Sequence, residues 1–163
     1  MRAIEMTIDN FPVTNENQEA YEFVNSLIRD PQGQTITLLA GSVNQTMHLK
    51  HAILNKLTSR VVTQTGSDFA QKLIEAIQNN THNSLVAQYS SYELYMLDDL
   101  QFLAGKEATQ QMIYEILKER FEQGKSTVLI ASDSFDVLKE KLSRCLIDLI
   151  YLGQVVEIKS EYA

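Results

Sequence analysis

Apolar residues recur along this chain in two alternating rhythms, and the alternation predicts a fold. Residues 18–28 place Ala20, Phe23, Val24 and Leu27 at helical spacing. Asp30-Pro31-Gln32-Gly33 then reads as a turn, because proline and glycine both punctuate. Residues 35–40 (TITLLA) form a short continuous apolar run ending at Gly41, as a strand buried on both faces does. A helix is predicted over 47–57, with Leu49, Ile53, Leu54 and Leu57 on one face. Residues 60–65 are brief and β-branched, a second strand. Ser67 or Asp68 can cap the next helix, 68–79, whose apolar set is Phe69, Leu73, Ile74 and Ile77. Residues 79–83 break it. A strand over 92–97, the longest helix over 107–123 closed by Gly124, and a strand over 126–131 follow. A helix over 135–149 and a strand over 154–158, entered through Gly153, complete the series. Strands separated by helices predict an α/β fold whose sheet is parallel, five-stranded and covered on both faces. With no repeat or linker, residues 1–163 read as one domain.

Composition narrows the function more than the fold. The chain is 44% hydrophobic and 21% charged, ordinary for a water-soluble protein. No apolar run approaches the roughly 20 residues of a membrane helix, and MRAIEMTIDNF lacks the apolar core of a signal peptide. The lone Cys145 excludes an internal disulfide framework and fits a reducing, cytoplasmic setting. A net charge of −7 gives no support to direct DNA binding, which needs clustered Lys and Arg.

Residues 92–105, YELYMLDDLQFLAG, carry the strongest chemical signal: an apolar run that ends on two adjacent aspartates. Unpaired carboxylates are costly in a core, so packing alone does not explain them. The Walker B strand of P-loop nucleotidases ends this way, the first acid helping to hold Mg²⁺ and the next polarising the attacking water. The matching phosphate loop is missing its signature, since AGSVNQTMHLKHAI contains no G-K-[ST] at the required place.

With the order of elements fixed, LYMLDDLQFLAGKEATQ resembles the Walker B strand and following helix of the DnaA/Hda family, bacterial replication initiators and their regulators within the AAA+ ATPases. TIDNFPVTNENQEAYEFV, HLKHAIL, GSDFAQKLIEAIQNN, TVLIASD and LGQVVEI are similar to that family's entry segment, post-loop helix, strand-two helix, sensor 1 strand and last core strand. The resemblance implies a three-layer P-loop NTPase core of AAA+ type, with a helical lid expected to be absent beyond the last strand. It also aligns Ala40, Gln45, Thr46 and Met47 with the positions of the loop's Gly, Gly, Lys and Ser/Thr. A threonine cannot replace that cation, a methionine cannot ligate Mg²⁺, and Lys50 lies one helical turn too far on. The family's arginine finger falls on Leu149, with Arg144 five residues away, and its basic DNA-contacting stretch is replaced by THNSLVAQYSS.

Each candidate also has a plainer reading. Asp98 and Asp99 can be vestigial, and Ser132 and Asp133, at the sensor 1 position, can cap the next helix. His48 and His51 are expected on a helix surface without a metal, and Cys145 as a small buried residue. Met112, Ile113, Ile116 and Leu117 form a core stripe opposite solvated Glu115, Lys118, Glu119 and Glu122.

The reading that follows is a non-catalytic DnaA/Hda-like domain with no cofactor, binding a protein partner such as an AAA+ initiator or regulator of chromosomal replication. Its rival is an ATP–Mg²⁺ switch using Asp98 as metal ligand, Asp99, and the backbone of Gly41, Ser42, Val43, Asn44, Gln45, Thr46 and Met47. An inert scaffold or dimerisation module borrowing the fold is the third.

Overall fold

In the computed structural model, which describes residues 2–33 and 35–159, five strands form one sheet. They are β1 (Ile36–Gly41), β2 (Val61–Thr65), β3 (Leu94–Asp98), β4 (Ser126–Ala131) and β5 (Gln154–Ile158), all pairs parallel, in the order β2-β3-β4-β1-β5. Both faces are covered, which is why the central strands read as continuous apolar runs rather than alternating ones. The three-layer α/β architecture agrees with the expectation from the chain's rhythm.

The helices are α1 (Gln18–Arg29), α2 (Val43–Leu57), α3 (Gly66–Gln78), α4 (His82–Ser91), α5 (Glu107–Glu122), α6 (Phe135–Lys141) and α7 (Arg144–Leu152). Successive strand residues point to opposite faces. Leu39, Met96, Val128 and Val156 therefore meet α1 and α2 on one side, where Ile8 and Phe11 of the entry segment close the layer. Leu38, Tyr95, Leu97 and Leu129 meet α3, α4, α5 and α7 on the other. Each fully buried Leu or Ile in these layers contributes roughly 1.5–3 kcal/mol.

Besides shifts of up to three residues at element ends, four features differ from expectation. Helix α2 starts at Val43, not residue 47: without loop glycines the chain turns at Ser42 and enters helix at once. Residues 82–91 are helical as α4, burying Leu85 and Tyr89 beside α5. The helix expected over 135–149 is two, because Ser143 adopts extended backbone and its hydroxyl accepts from the Leu146 N–H at 3.3 Å. Thr65, rather than Ser67 or Asp68, caps α3, its hydroxyl accepting from the Asp68 N–H at 3.0 Å. Ile74 and Ile77 of that helix are exposed. The α5 stripe does follow expectation, with Ile113, Ile116 and Leu117 buried, Met112 half-buried and the four charged positions outside. Gly124 ends that helix at φ +69, a conformation glycine adopts without steric cost.

Candidate functional site

Parallel strands deliver their carboxyl ends to one edge of the sheet, the usual place for a ligand in an open α/β fold. Asp98 is the last residue of β3, and Asp99 follows in left-handed backbone, φ 54 and ψ 47. Aspartate tolerates that region better than most residues because its short side chain bonds locally. Here the turn lets the Asp99 N–H donate to Asp98 Oδ1 at 2.8 Å. Gly66, at the start of α3, packs against the same turn so closely that a Cβ there would lie 2.8 Å from the Asp99 carbonyl oxygen.

The second oxygen of Asp98 meets Lys50, a residue the sequence reading considered only as a stand-in for the phosphate-loop lysine. Lys50 rises from α2, and its Nζ donates to Asp98 Oδ2 at 2.8 Å. The two side chains are only 20% and 18% exposed, so solvent screens the pair less than an ordinary surface ion pair. His51, the next residue on α2, has its pKa lowered from 6.5 by partial burial and then by the neighbouring Lys50 charge.

A polar chain continues from the aspartates toward β4. Gln101 Nε2 donates to Asp99 Oδ1 at 3.4 Å, and Gln101 Oε1 accepts from the Ser132 N–H at 3.2 Å. Asp133 is engaged separately, its Oδ2 accepting from Lys141 Nζ at 2.8 Å. Ser132 and Asp133 do not cap the next helix. Ser134 does, with its hydroxyl accepting from the Val137 N–H at 3.3 Å, and Glu157 Oε1 accepts from the Phe135 N–H at 2.6 Å.

Residues 41–47 form no open loop. Val43–Met47 already lie in α2, where the Thr46 N–H donates to the Ser42 carbonyl at 2.9 Å and the Thr46 hydroxyl to the Val43 carbonyl at 3.2 Å. Thr46 is buried and Met47 exposed. Asn44 is exposed, while the Gln45 side-chain oxygen accepts from Asn17 Nδ2 at 2.6 Å. Gly41 has φ +120, and a Cβ there would sit 2.1 Å from the Ile158 carbonyl oxygen. Its need for glycine is therefore explained by the approach of β5. An open cavity of about 490 Å³ at the ends of β1, β4 and β5 is lined by Gly41, Ser42, Val43, Ser132, Ser134 and Glu157 among others.

Other expected positions resolve differently. His48 is buried rather than on the surface; its Nε2 donates to the Thr7 carbonyl at 2.8 Å and to Asn10 Oδ1 at 3.0 Å, tying the entry segment to α2. Cys145 is exposed, not buried. Leu149 is buried in the core, and Arg144, 93% exposed, lies 3.8 Å from Asp148. Among the described residues no group of three or more His, Cys, Asp or Glu side chains could hold a metal ion. None of their helices is long and apolar enough to cross a membrane. The sequence reading missed Gln101 and the reach of Lys50. A polar side chain just after an aspartate pair was the one visible hint of the first; the second had none.

Residues 3–157 match the family model of the bacterial DnaA ATPase domain. The chain is 32% identical over 158 residues to the chromosomal replication initiator DnaA of Aquifex aeolicus, covering 94% of this chain and 39% of that protein. A solved DnaA initiator bound to AMPPCP and single-stranded DNA superposes with a TM-score of 0.85 at 31% identity, over 96% of this chain and 50% of that one. The DnaC helicase loader shares the fold at 18% identity, with a TM-score of 0.79 over 97% of this chain and 99% of that one. The chain thus spans about half or less of the length of the two initiators.

Proposed function

The chain belongs to the bacterial DnaA ATPase-domain family, and from that premise we propose that it serves the initiation of chromosomal replication, or its regulation, as a protein-recognition domain that does not turn over ATP. One observation carries this reading: the carboxylate that would hold the metal is engaged by a lysine of the protein itself. Asp98 has both oxygens occupied, by Lys50 and by the Asp99 N–H. Thr46, where a phosphate-binding lysine would stand, directs its hydroxyl into its own helix. Met47, where a Mg²⁺-binding hydroxyl would stand, offers a thioether, a poor ligand for a hard cation. The residues present do not fit a triphosphate–Mg²⁺ group.

The partner in this reading is a relative carrying an AAA+ domain, an initiator or its regulator, recognised through the outer surface of the fold. A net charge of −7 favours a protein over single-stranded DNA as that partner. The expected result is saturable binding to the initiator of the same cell, at physiological salt and without nucleotide. An oligonucleotide titration run beside it should show at least about tenfold weaker binding. The reverse order would make the domain a DNA-binding one.

The ATP–Mg²⁺ switch keeps one observation in its favour: the Asp98–Asp99 pair stands at the carboxyl end of β3, in contact with α2 through Lys50. A thermal shift with millimolar ATP or ADP, with and without Mg²⁺, separates the readings. ATP at 100 times its Kd would add about 2.7 kcal/mol of stability. No rise is expected in the wild type; a Mg²⁺-dependent rise lost in Asp98→Ala/Asp99→Ala establishes the switch.

A further inference from the structure

Lys50 stands where a carboxylate of this kind would otherwise meet a metal, and the geometry points to a specific role: its ammonium is a resident cation that replaces a divalent ion at Asp98 and keeps the sheet edge metal-independent. This rests on the non-catalytic reading and deepens it. Asp98 offers only two oxygens. One accepts the Asp99 N–H at 2.8 Å, which fixes the carboxylate plane, and the other accepts Lys50 Nζ at 2.8 Å. A Mg²⁺ or Mn²⁺ ion approaching that oxygen would have to displace the ammonium, because two cations cannot share one carboxylate oxygen without strong repulsion.

The surroundings favour the ammonium. Both side chains are about four-fifths shielded from water, which strengthens their attraction relative to exposed pairs. Two other candidate ligands have protein partners: the Thr46 hydroxyl donates to the Val43 carbonyl, and Asp99 Oδ1 accepts from Gln101. Mg²⁺ keeps several of its waters and needs only one or two carboxylates, so competition with the ammonium for Asp98 Oδ2 decides whether it binds. The pair also fastens α2, which leaves β1, to the end of β3, two strands away across β4. A bound metal would make such a fastening conditional on its concentration; a lysine makes it permanent.

The test uses Mn²⁺ alone, with neither nucleotide nor partner, on the ¹⁵N-labelled full chain. Selective paramagnetic broadening of the Asp98 and Asp99 amide signals reports a metal at this carboxylate. Wild type should show none at submillimolar Mn²⁺, whereas Lys50→Met should be broadened at a concentration at least about tenfold lower than any that affects wild type. Asp98→Asn placed on Lys50→Met should abolish that response. Selective broadening of wild type at the same Mn²⁺ concentration as Lys50→Met overturns the proposal. Should Lys50→Met fail to fold, Lys50→Gln takes its place. Broadening in wild type that Asp98→Asn removes overturns the inference, and so does a folded Lys50 variant that shows no broadening. ATP binding in the thermal-shift experiment would sink the non-catalytic reading without changing this metal response, so the two failures are distinguishable.

Discussion

Arg120 is fully buried, and its guanidinium reaches five oxygens: Thr127 Oγ1 at 2.8 Å and the carbonyls of Tyr89, Tyr92, Glu93 and Ser126 at 2.9, 2.6, 3.5 and 2.6 Å. Burial lowers its pKa to about 10, so it stays charged at neutral pH. A planar fork with five donors can satisfy this set, and a lysine ammonium cannot. Arg120→Met should therefore cost about 3 kcal/mol or more in denaturant unfolding, with Arg120→Lys recovering only part of it. His51 makes a smaller, pH-dependent claim. Its folded pKa lies below the ordinary 6.5, so on acidification the unfolded chain takes up the proton first. Stability contributed at this position is present above the ordinary value and lost as pH falls below it. Unfolding of His51→Gln between about pH 7 and 5 should show a flatter acid slope than wild type. Residues of this kind were poorly legible in the sequence. Arg120 stands on the buried stripe of Ile113, Ile116 and Leu117, but nothing in the chain marks the oxygens it bonds; Lys50 is half-buried on α2 and its partner lies 48 residues away. Asp98 and Asp99 were legible because a core tolerates charge badly enough that their place at the end of an apolar run demanded a reason.

At the scale of elements, periodicity revealed the strands well because each is a dense apolar run with turn residues on either side. Helix α4 escaped because Leu85, Val86 and Tyr89 are a thin stripe among serines and asparagines, and tertiary contact with α5 supplies what local propensity does not. The start of α2 was misplaced because a phosphate loop was sought where the chain builds a helix. The same region yields a prediction that separates architecture from chemistry. Gly41 sits at φ +120 with the Ile158 carbonyl in the space a side chain would need, and Gly153 has the Ile36 carbonyl even nearer. Gly41→Ala must rotate the backbone and part β1 from β5, costing about 2–3 kcal/mol in denaturant unfolding. Gly33→Ala is the contrast. It too has positive φ, but nothing lies within 4 Å of its Cβ position, so only backbone strain opposes it and the loss should be smaller. Equal losses would show that crowding against β5 is not what Gly41 relieves.

The whole molecule is two apolar layers separated by a sheet about one side chain thick on each face. The layer over α1 and α2 depends for closure on the entry segment, where Phe11 stacks on Tyr21 with ring centroids 6.2 Å apart and meets the edge of His48 at 5.2 Å. Hydrogen bonds from His48 to Thr7 and Asn10, and from Asn55 to the Ala3 and Met6 carbonyls, hold that segment against α2. The opposite layer is closed by α5, with Ile113 at its centre. Leu38 and Leu39 are neighbours on β1 that face opposite layers, so neither layer can come apart without exposing the other side of the same strand. Small domains of this kind unfold as one unit. Phe11→Ala should lower stability by about 3–5 kcal/mol and Ile113→Ala by about 2–5 kcal/mol. The two sites share no partner, so their losses should add to within about 0.5 kcal/mol in the double variant, with a single transition by both fluorescence and circular dichroism. If instead the entry segment and the α1–α2 layer melted first, Phe11→Ala would produce an early second transition while leaving the main one unmoved. The domain would then be a stable half-sandwich with a detachable cover. The protein-recognition surface would have to be sought beneath that cover as well as on it.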